Sequence, residues 1–164
     1  MEMQAPDIRP ATLSDIDSLV GLLGQLFDIE GDFSFDDAAH RQGLAELAGR
    51  TGEAWVWVAV REGAVVGMCT GQRLVSTASG GMSLHIEDVV VDRRHRGRGI
   101  GSALLMHVER WAVSNGFCRL QLNADRDNTP ALDFYHGLGW EGSNLTWLRK
   151  HISAHPTPEQ DTTS

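Results

Sequence analysis

Two cysteines, one tyrosine and no long apolar run are all that these 164 residues offer of the features that usually settle a protein's class. Cys69 and Cys118 stand alone in apolar, strand-like runs, with neither metal-ligand spacing nor a Cys-x-x-Cys pair. They read as reduced core cysteines, and no metal is expected. No apolar stretch approaches the roughly 20 residues that cross a bilayer. The opening Met1–Asp7 lacks the basic start and apolar run of a secretory signal, so a cytoplasmic location is expected. Positive charge is scarce as well. Fourteen Lys and Arg face 22 Asp and Glu, a net charge of −8, which excludes broad binding to nucleic acid or an acidic membrane.

What is present fits one domain, because 164 residues suffice for a real core without staples. Neither an internal repeat nor a linker interrupts residues 1–152, which read as a single unit. Residues 153–164, rich in Pro, Thr, Ser and acids, read as a disordered tail. A short strand at Ile8–Arg9 leads into the helix-start pattern Thr12-Leu-Ser-Asp15, with Ile16, Leu19, Val20, Leu23 and Leu26 at helical spacing after it. An acidic connector, Asp28, Glu30, Asp32, Asp36 and Asp37, precedes a second helix over about 37–47 with Asp36 as its cap.

Trp55–Val60 and Ala64–Thr70 read as a hairpin about Arg61-Glu-Gly63. A loose loop over 76–81 separates them from Leu84–Val91, a strand whose β-branched end suits a sheet centre. A helix from Ile100 to about Asn115, a strand over 118–123, a helix over 129–138 and a last strand over 145–149 complete the order βααβββαβαβ. This order predicts an α/β fold, a mixed sheet with helices on both faces.

The most informative stretch is Val89-Val-Val-Asp-Arg-Arg-His-Arg-Gly-Arg-Gly-Ile-Gly-Ser102. It concentrates positive charge in an acidic chain, where a strand feeds a glycine-rich turn that opens a helix. Unpaired amides and the positive end of the helix dipole converge at such a turn, a ready site for phosphate. Gly97, Gly99 and Gly101 let backbone approach an anion, and Arg96 or Arg98 adds charge-assisted bonds. A Walker loop would need a lysine that the segment lacks. A dinucleotide fingerprint fits Gly97-x-Gly99-x-x-Ser102 only as a near miss, and three or more strands precede it.

Arg96-Gly-Arg-Gly-Ile-Gly101 resembles the Arg/Gln-x-x-Gly-x-Gly/Ala coenzyme A signature of the GNAT superfamily of N-acetyltransferases, and the strand before it ends in Val-Val-Val-Asp as in that family. A second segment, Asn128-Thr-Pro-Ala-Leu-Asp-Phe-Tyr-His-Gly-Leu-Gly-Trp140, is similar to the family's Asn-x-x-Ala-x-x-Phe-Tyr-x-x-x-Gly-Phe. The resemblance covers about residues 7–150. It implies the GNAT acyl-CoA N-acyltransferase fold, a mixed and mostly antiparallel sheet flanked by helices, with acetyl-CoA as cosubstrate. It further implies that Val89, Val90, Val91, Arg96, Gly97, Arg98, Gly99, Ile100, Gly101, Ser102 and Asn128 face the cofactor. The pantetheine arm would lie in a gap between Val89–Val91 and Leu120–Asn123. Asn128 also reads as a helix cap before Thr129-Pro130.

Acetyl transfer to an amine must remove a proton from an ammonium and supply one to a departing thiolate. A phenol of ordinary pKa about 10 can donate to a thiolate whose thiol lies near about 8.5. Tyr135, the chain's one tyrosine, stands at the family's usual acid position. For the base, Leu84-His-Ile-Glu-Asp-Val offers His85, Glu87 and Asp88; alternation puts the first two on one face and Asp88 on the other, unless a bulge re-aims them. Glu87 matches the carboxylate of family members such as the diamine acetyltransferases and is expected to act through water, with His85 second. The acceptor is expected to be a small, cationic amine, with Trp55 and Trp57 either lining its pocket or packing the core. A protein lysine or N-terminus, or a silent acyl-CoA sensor, are the alternatives, and a homodimer is allowed.

Overall fold

The computed structural model describes residues 5–29, 35–150 and 152. Glu30, Asp32 and the tail after residue 152 therefore lie outside the described residues. Five strands form one sheet in the order β1 (Asp7–Pro10), β2 (Ala54–Arg61), β3 (Ala64–Ser76), β4 (Gly81–Val91) and β5 (Phe117–Leu122). The first four pair antiparallel and β4–β5 pair parallel, which makes the sheet mixed and mostly antiparallel, as expected. The loose loop expected over 76–81 is instead the tip of a long hairpin. Pairing of β3 with β4 continues to Ser76↔Gly81.

Helices cover both faces. On one face, α3 (Ile100–Ser114) buries Ile100, Leu104, Leu105, Val108 and Ala112 against Trp57, Ala59, Leu84 and Ile86. On the other, α1 (Ile16–Phe27) and α2 (Asp37–Gly49) bury Leu19, Val20, Leu22, Leu23 and Leu44 against Val56, Val58, Met68 and Val90. The residues of β2 divide between these clusters by parity, as a strand buried on both faces requires. Trp55 and Trp57 go to the α3 face, stacked at 6.3 Å and packed on Trp111 at 4.6 and 5.0 Å. They pack the core.

Local chemistry fixes the ends of elements. The Asp15 carboxylate accepts from both Arg9 guanidinium nitrogens at 2.8 and 3.0 Å and from the Thr12 amide at 2.7 Å, tying β1 to the start of α1. The Arg9 hydrogen bonds hold its pKa well below the usual carboxylate range. Asp36 caps α2 by accepting from the Ala39 amide at 3.1 Å.

Two expectations fail. Residues 145–149 form no strand: the chain runs without regular structure from Trp140 to Lys150, and every described residue from Glu141 onward is exposed. Strand propensity is not enough without a paired strand, and among the described residues the segment pairs with none. Cys118 is exposed rather than core: it stands near the start of β5, and its thiol donates to the Met82 carbonyl at 3.1 Å. Cys69 is buried as expected, and burial pushes its pKa up.

Candidate active site

The site begins with an irregularity in β4. Ile86 stands opposite Gly71 and Val89 opposite Cys69, so the single residue Thr70 faces both Glu87 and Asp88. Such a bulge breaks the alternation that would have sent these carboxylates to opposite faces. Both now line one cavity of about 390 Å³, bounded on the helical side by Leu23 and Phe27 of α1 and His40 of α2.

The two carboxylates live in different surroundings. Asp88 Oδ2 accepts from the Thr70 hydroxyl at 2.8 Å, while the Asp88 amide donates to the Thr70 hydroxyl oxygen at 3.0 Å. Burial pushes the Asp88 pKa up to about 6, against the pull of the Thr70 hydrogen bond and with the negative charge of Glu87 adding to the rise. Glu87 is exposed and shares a 3.0 Å hydrogen bond with His85 Nε2, which holds its pKa below the ordinary glutamate value. The His85 Nδ1 atom is buried and has no hydrogen-bond partner among the described residues. Neighbouring carboxyl groups with pKa values pushed apart are the arrangement from which distinct proton-handling roles arise.

Beyond the bulge, β4 runs to Val91 and into the arginine-glycine loop. The loop is anchored by Asp92, which accepts from the Arg94 amide at 2.9 Å and its guanidinium at 3.1 Å, and from Gln25 Nε2 of α1 at 3.3 Å. These bonds hold Asp92 well below the usual carboxylate range. Gln25 also accepts from the Arg93 amide at 2.9 Å, and Arg96 Nε donates to the Val91 carbonyl at 3.0 Å. The crowding of four arginines is thereby relieved: Arg94 turns back on Asp92, and Arg93 lies 3.8 Å from Asp28.

Gly97 and Gly99 adopt φ of +70° and +75°, a conformation that side chains resist. Gly99 is the N-cap of α3 and supplies no side chain to its first turn. Amides at this helix entrance are thus left to another acceptor, and Arg96 and Arg98 flank them exposed to solvent. These residues fit a diphosphate. Ile100 can contribute only backbone, since its side chain is 1% exposed in the core. Gly101 also has a packing role. A Cβ there would come within 3.1 Å of Phe134, so its smallness lets α4 (Thr129–Gly137) approach the first turn of α3.

The gap for the pantetheine arm was expected between Val89–Val91 and Leu120–Asn123, but Leu120 and Leu122 pair with Leu84 and Ile86 and cannot form its wall. Pairing of β4 with β5 stops at Ile86↔Leu122, and Glu87–Val91 run on bonded, among the described strands, to β3 alone. Val89 and Val91 turn toward the α3 face, and Val90 toward the α1–α2 face. Asn128 caps α4, accepting from the Ala131 amide at 3.2 Å. Tyr135 lies on that helix, with its ring 5.3 Å from Phe134 and 5.9 Å from Trp140. The loop, the strand opening and the tyrosine helix therefore meet around the end of β4.

Sequence reasoning did not reach Thr70, Gln25 or His40. Their roles depend on pairings across 18 to 68 residues of chain, for which no local pattern exists. Asp88 is visible in the sequence as a carboxylate that alternation puts opposite Glu87 unless a bulge re-aims it, and the bulge is what the structure adds.

Comparison with known proteins bears on the whole arrangement. The profile of the Acetyltransferase (GNAT) family matches residues 23–140. Streptothricin acetyltransferase of Streptomyces lavendulae is 31% identical over 106 residues, 65% of this chain and 54% of that protein. Streptothricin acetyltransferase A of Bacillus subtilis (strain 168) is 37% identical over 67 residues, 41% of this chain and 38% of that protein. The match thus spans about half or less of these relatives. An aminoglycoside N-acetyltransferase solved in complex with CoA superposes with a TM-score of 0.77 at 20% identity, covering 93% of this chain and 99% of that one, a likeness of fold. With the family profile running from α1 through the loop to Trp140, this chain belongs to the GNAT family of acetyltransferases.

Proposed function

We propose that this chain moves the acetyl group of acetyl-CoA to a primary amine of a small cationic molecule, which enters the cavity bearing Glu87 and Asp88. The observation that carries the reading is the β4 bulge: it sends two carboxylates into one cavity on the strand whose next residues enter the arginine-glycine loop. The streptothricin acetyltransferases, similar over part of the chain, favour a small-molecule acceptor.

In this reading the amides of the α3 entrance, with Arg96 and Arg98, bind the diphosphate of the cosubstrate, and the exposed edge of Glu87–Val91 receives its arm. Acetyl-CoA supplies an acyl carbon activated as a thioester; amine attack makes the C–N bond as the C–S bond breaks. Asp88, set back from water, pairs with the incoming ammonium, an interaction strengthened by the low local dielectric. Glu87, kept ionised by His85 and open to solvent, takes the ammonium proton through water and passes it to bulk. The nitrogen sheds its second proton to solvent as the amide forms, while Tyr135 donates its phenolic proton to the departing thiolate and regains one from solvent.

The test is mass spectrometry of acetyl-CoA incubations with streptothricin, polyamines, aminoglycosides, amino acids and lysine peptides, run with Glu87→Gln and Tyr135→Phe alongside. Acetylation of a small cationic amine that both variants slow supports the reading. Acetylation of peptides alone would move the acceptor to proteins, and coenzyme A binding without any product would leave a sensor.

A further inference from the structure

Helix α1 works on two flanks. Leu19, Leu22 and Leu26 pack it on the sheet, and Leu23 and Phe27 line the cavity that bears Glu87 and Asp88. At 3.6 residues per turn, Gln25 stands about 160° round the helix from both Leu23 and Phe27, and so reaches the other way. There it meets the start of the arginine-glycine loop.

The contact is two-sided. Gln25 Oε1 accepts from the Arg93 amide at 2.9 Å, and Gln25 Nε2 donates to Asp92 Oδ2 at 3.3 Å. A flipped side-chain amide would set N–H against N–H and oxygen against carboxylate, so these two partners admit a single orientation. Asp92 is 7% exposed, and the short helix Arg93–His95 after it opens with amides that need acceptors. The Asp92 carboxylate takes the Arg94 amide from within the loop, and Gln25 takes the Arg93 amide from α1. From this closed turn the chain passes through Gly97 and Gly99, both at positive φ, to the amides that open α3. Glycines give that stretch little stiffness of its own, so its shape depends on the fixed turn before it.

We propose that Gln25 is a positioning residue that ties the diphosphate loop to the wall of the acceptor cavity, so that cosubstrate on the loop also steadies α1. A loop free to take many shapes must be ordered when it binds, and the Gln25 amide supplies part of that order beforehand. The link runs the other way too. A diphosphate that fixes the turn fixes the Arg93 amide, and with it Gln25 and the helix that carries Leu23 and Phe27. Asp28, at the end of α1, adds an ion pair to Arg93 at 3.8 Å, but both partners are exposed and such a pair is weak in water. The proposal rests on the loop being the diphosphate site and is independent of which amine accepts the acetyl group.

Calorimetric titration of the full chain with coenzyme A at pH 8 tests it, with Gln25→Ala and Gln25→Glu alongside and hydrogen exchange of residues 16–27 followed with and without saturating coenzyme A. Gln25→Ala should weaken coenzyme A binding about tenfold. Gln25→Glu should weaken it at least as much, because it keeps the size of the side chain but turns a second carboxylate toward Asp92. Coenzyme A should slow exchange in α1 of the native chain at least about threefold, and in both variants that slowing should vanish while far-UV circular dichroism shows a folded protein. Native affinity in both variants overturns the proposal, and so does slowing in α1 that the variants keep or the native chain lacks. A native chain that binds no coenzyme A overturns the diphosphate reading itself, and this proposal with it.

Discussion

The two halves of β4 are built differently. From Met82 to Ile86 the strand is bonded on both sides, to β3 and to β5, and Leu84 and Ile86 are buried in the α3-face core. From Glu87 to Val91 it is bonded to β3 alone, begins with a bulge, and ends in the loop at Arg96–Gly101. Five consecutive residues are paired on both sides, and the next five on one side include the two carboxylates of the cavity. Five residues of full pairing hold the strand in place, so the half that follows can leave edge groups open and set two carboxylates in a cavity, features that would weaken a strand standing alone. Function here is placed where a rigid element runs past the end of its partner.

Substitutions in the two halves should separate stability from chemistry. The largest effect belongs to the paired half. Leu84→Ala leaves a cavity beneath α3 and costs about 2–5 kcal/mol of unfolding free energy in a urea titration, while the kcat of protein that remains folded changes little. In the open half, Glu87→Gln lowers kcat about 100-fold, within the usual range for loss of a base, and leaves the melting temperature nearly unchanged. A fall in stability equal to that of Leu84→Ala would erase the distinction.

Asp88→Asn is smaller and more diagnostic. It keeps an acceptor for the Thr70 hydroxyl but removes the charge, so KM for a cationic acceptor rises about tenfold or more while KM for acetyl-CoA holds. The linkage has a definite sign. The folded pKa of about 6 lies above the unfolded value, so the ionised carboxylate costs stability in full above that pH, and the cost fades as pH falls from about 6 towards the unfolded value near about 4. Asp88→Asn should therefore raise the melting temperature at pH 8 and have little effect at pH 4, as followed by calorimetry. Asp15 and Asp92 act oppositely: their folded pKa values are depressed, so their contribution is present above the unfolded value near about 4 and is lost as pH falls further. The smallest effect is expected at the loop. Arg98→Ala, which removes an exposed guanidinium, raises KM for acetyl-CoA by about 3–10-fold, an effect that shrinks as salt is added.

The same contrast explains what the sequence could reveal. Helix α3, the hairpin β2–β3 and the Arg96–Gly101 turn were legible, because heptad-like spacing, alternation and glycine punctuation are local signals that agree with one another. The cap roles of Asp36 and Asn128 were legible for the same reason. What escaped depends on distant chain. Whether Glu87 and Asp88 share a cavity is decided by Thr70 across the sheet, and the purpose of Gly101 by Phe134 on another helix. Residues 145–149 show the converse, a local strand signal at which no strand forms.

The account rests most directly on the bulge of β4. The decisive measurement is initial-rate kinetics of acetyl transfer to a small polycationic amine, with coenzyme A release and acetylated product both followed, for the native chain, Glu87→Gln, Asp88→Asn and the double variant. The account predicts a kcat loss for the first substitution, a rise in acceptor KM for the second, and both in the double, with binding of acetyl-CoA retained throughout. Native rates in the double variant would contradict it.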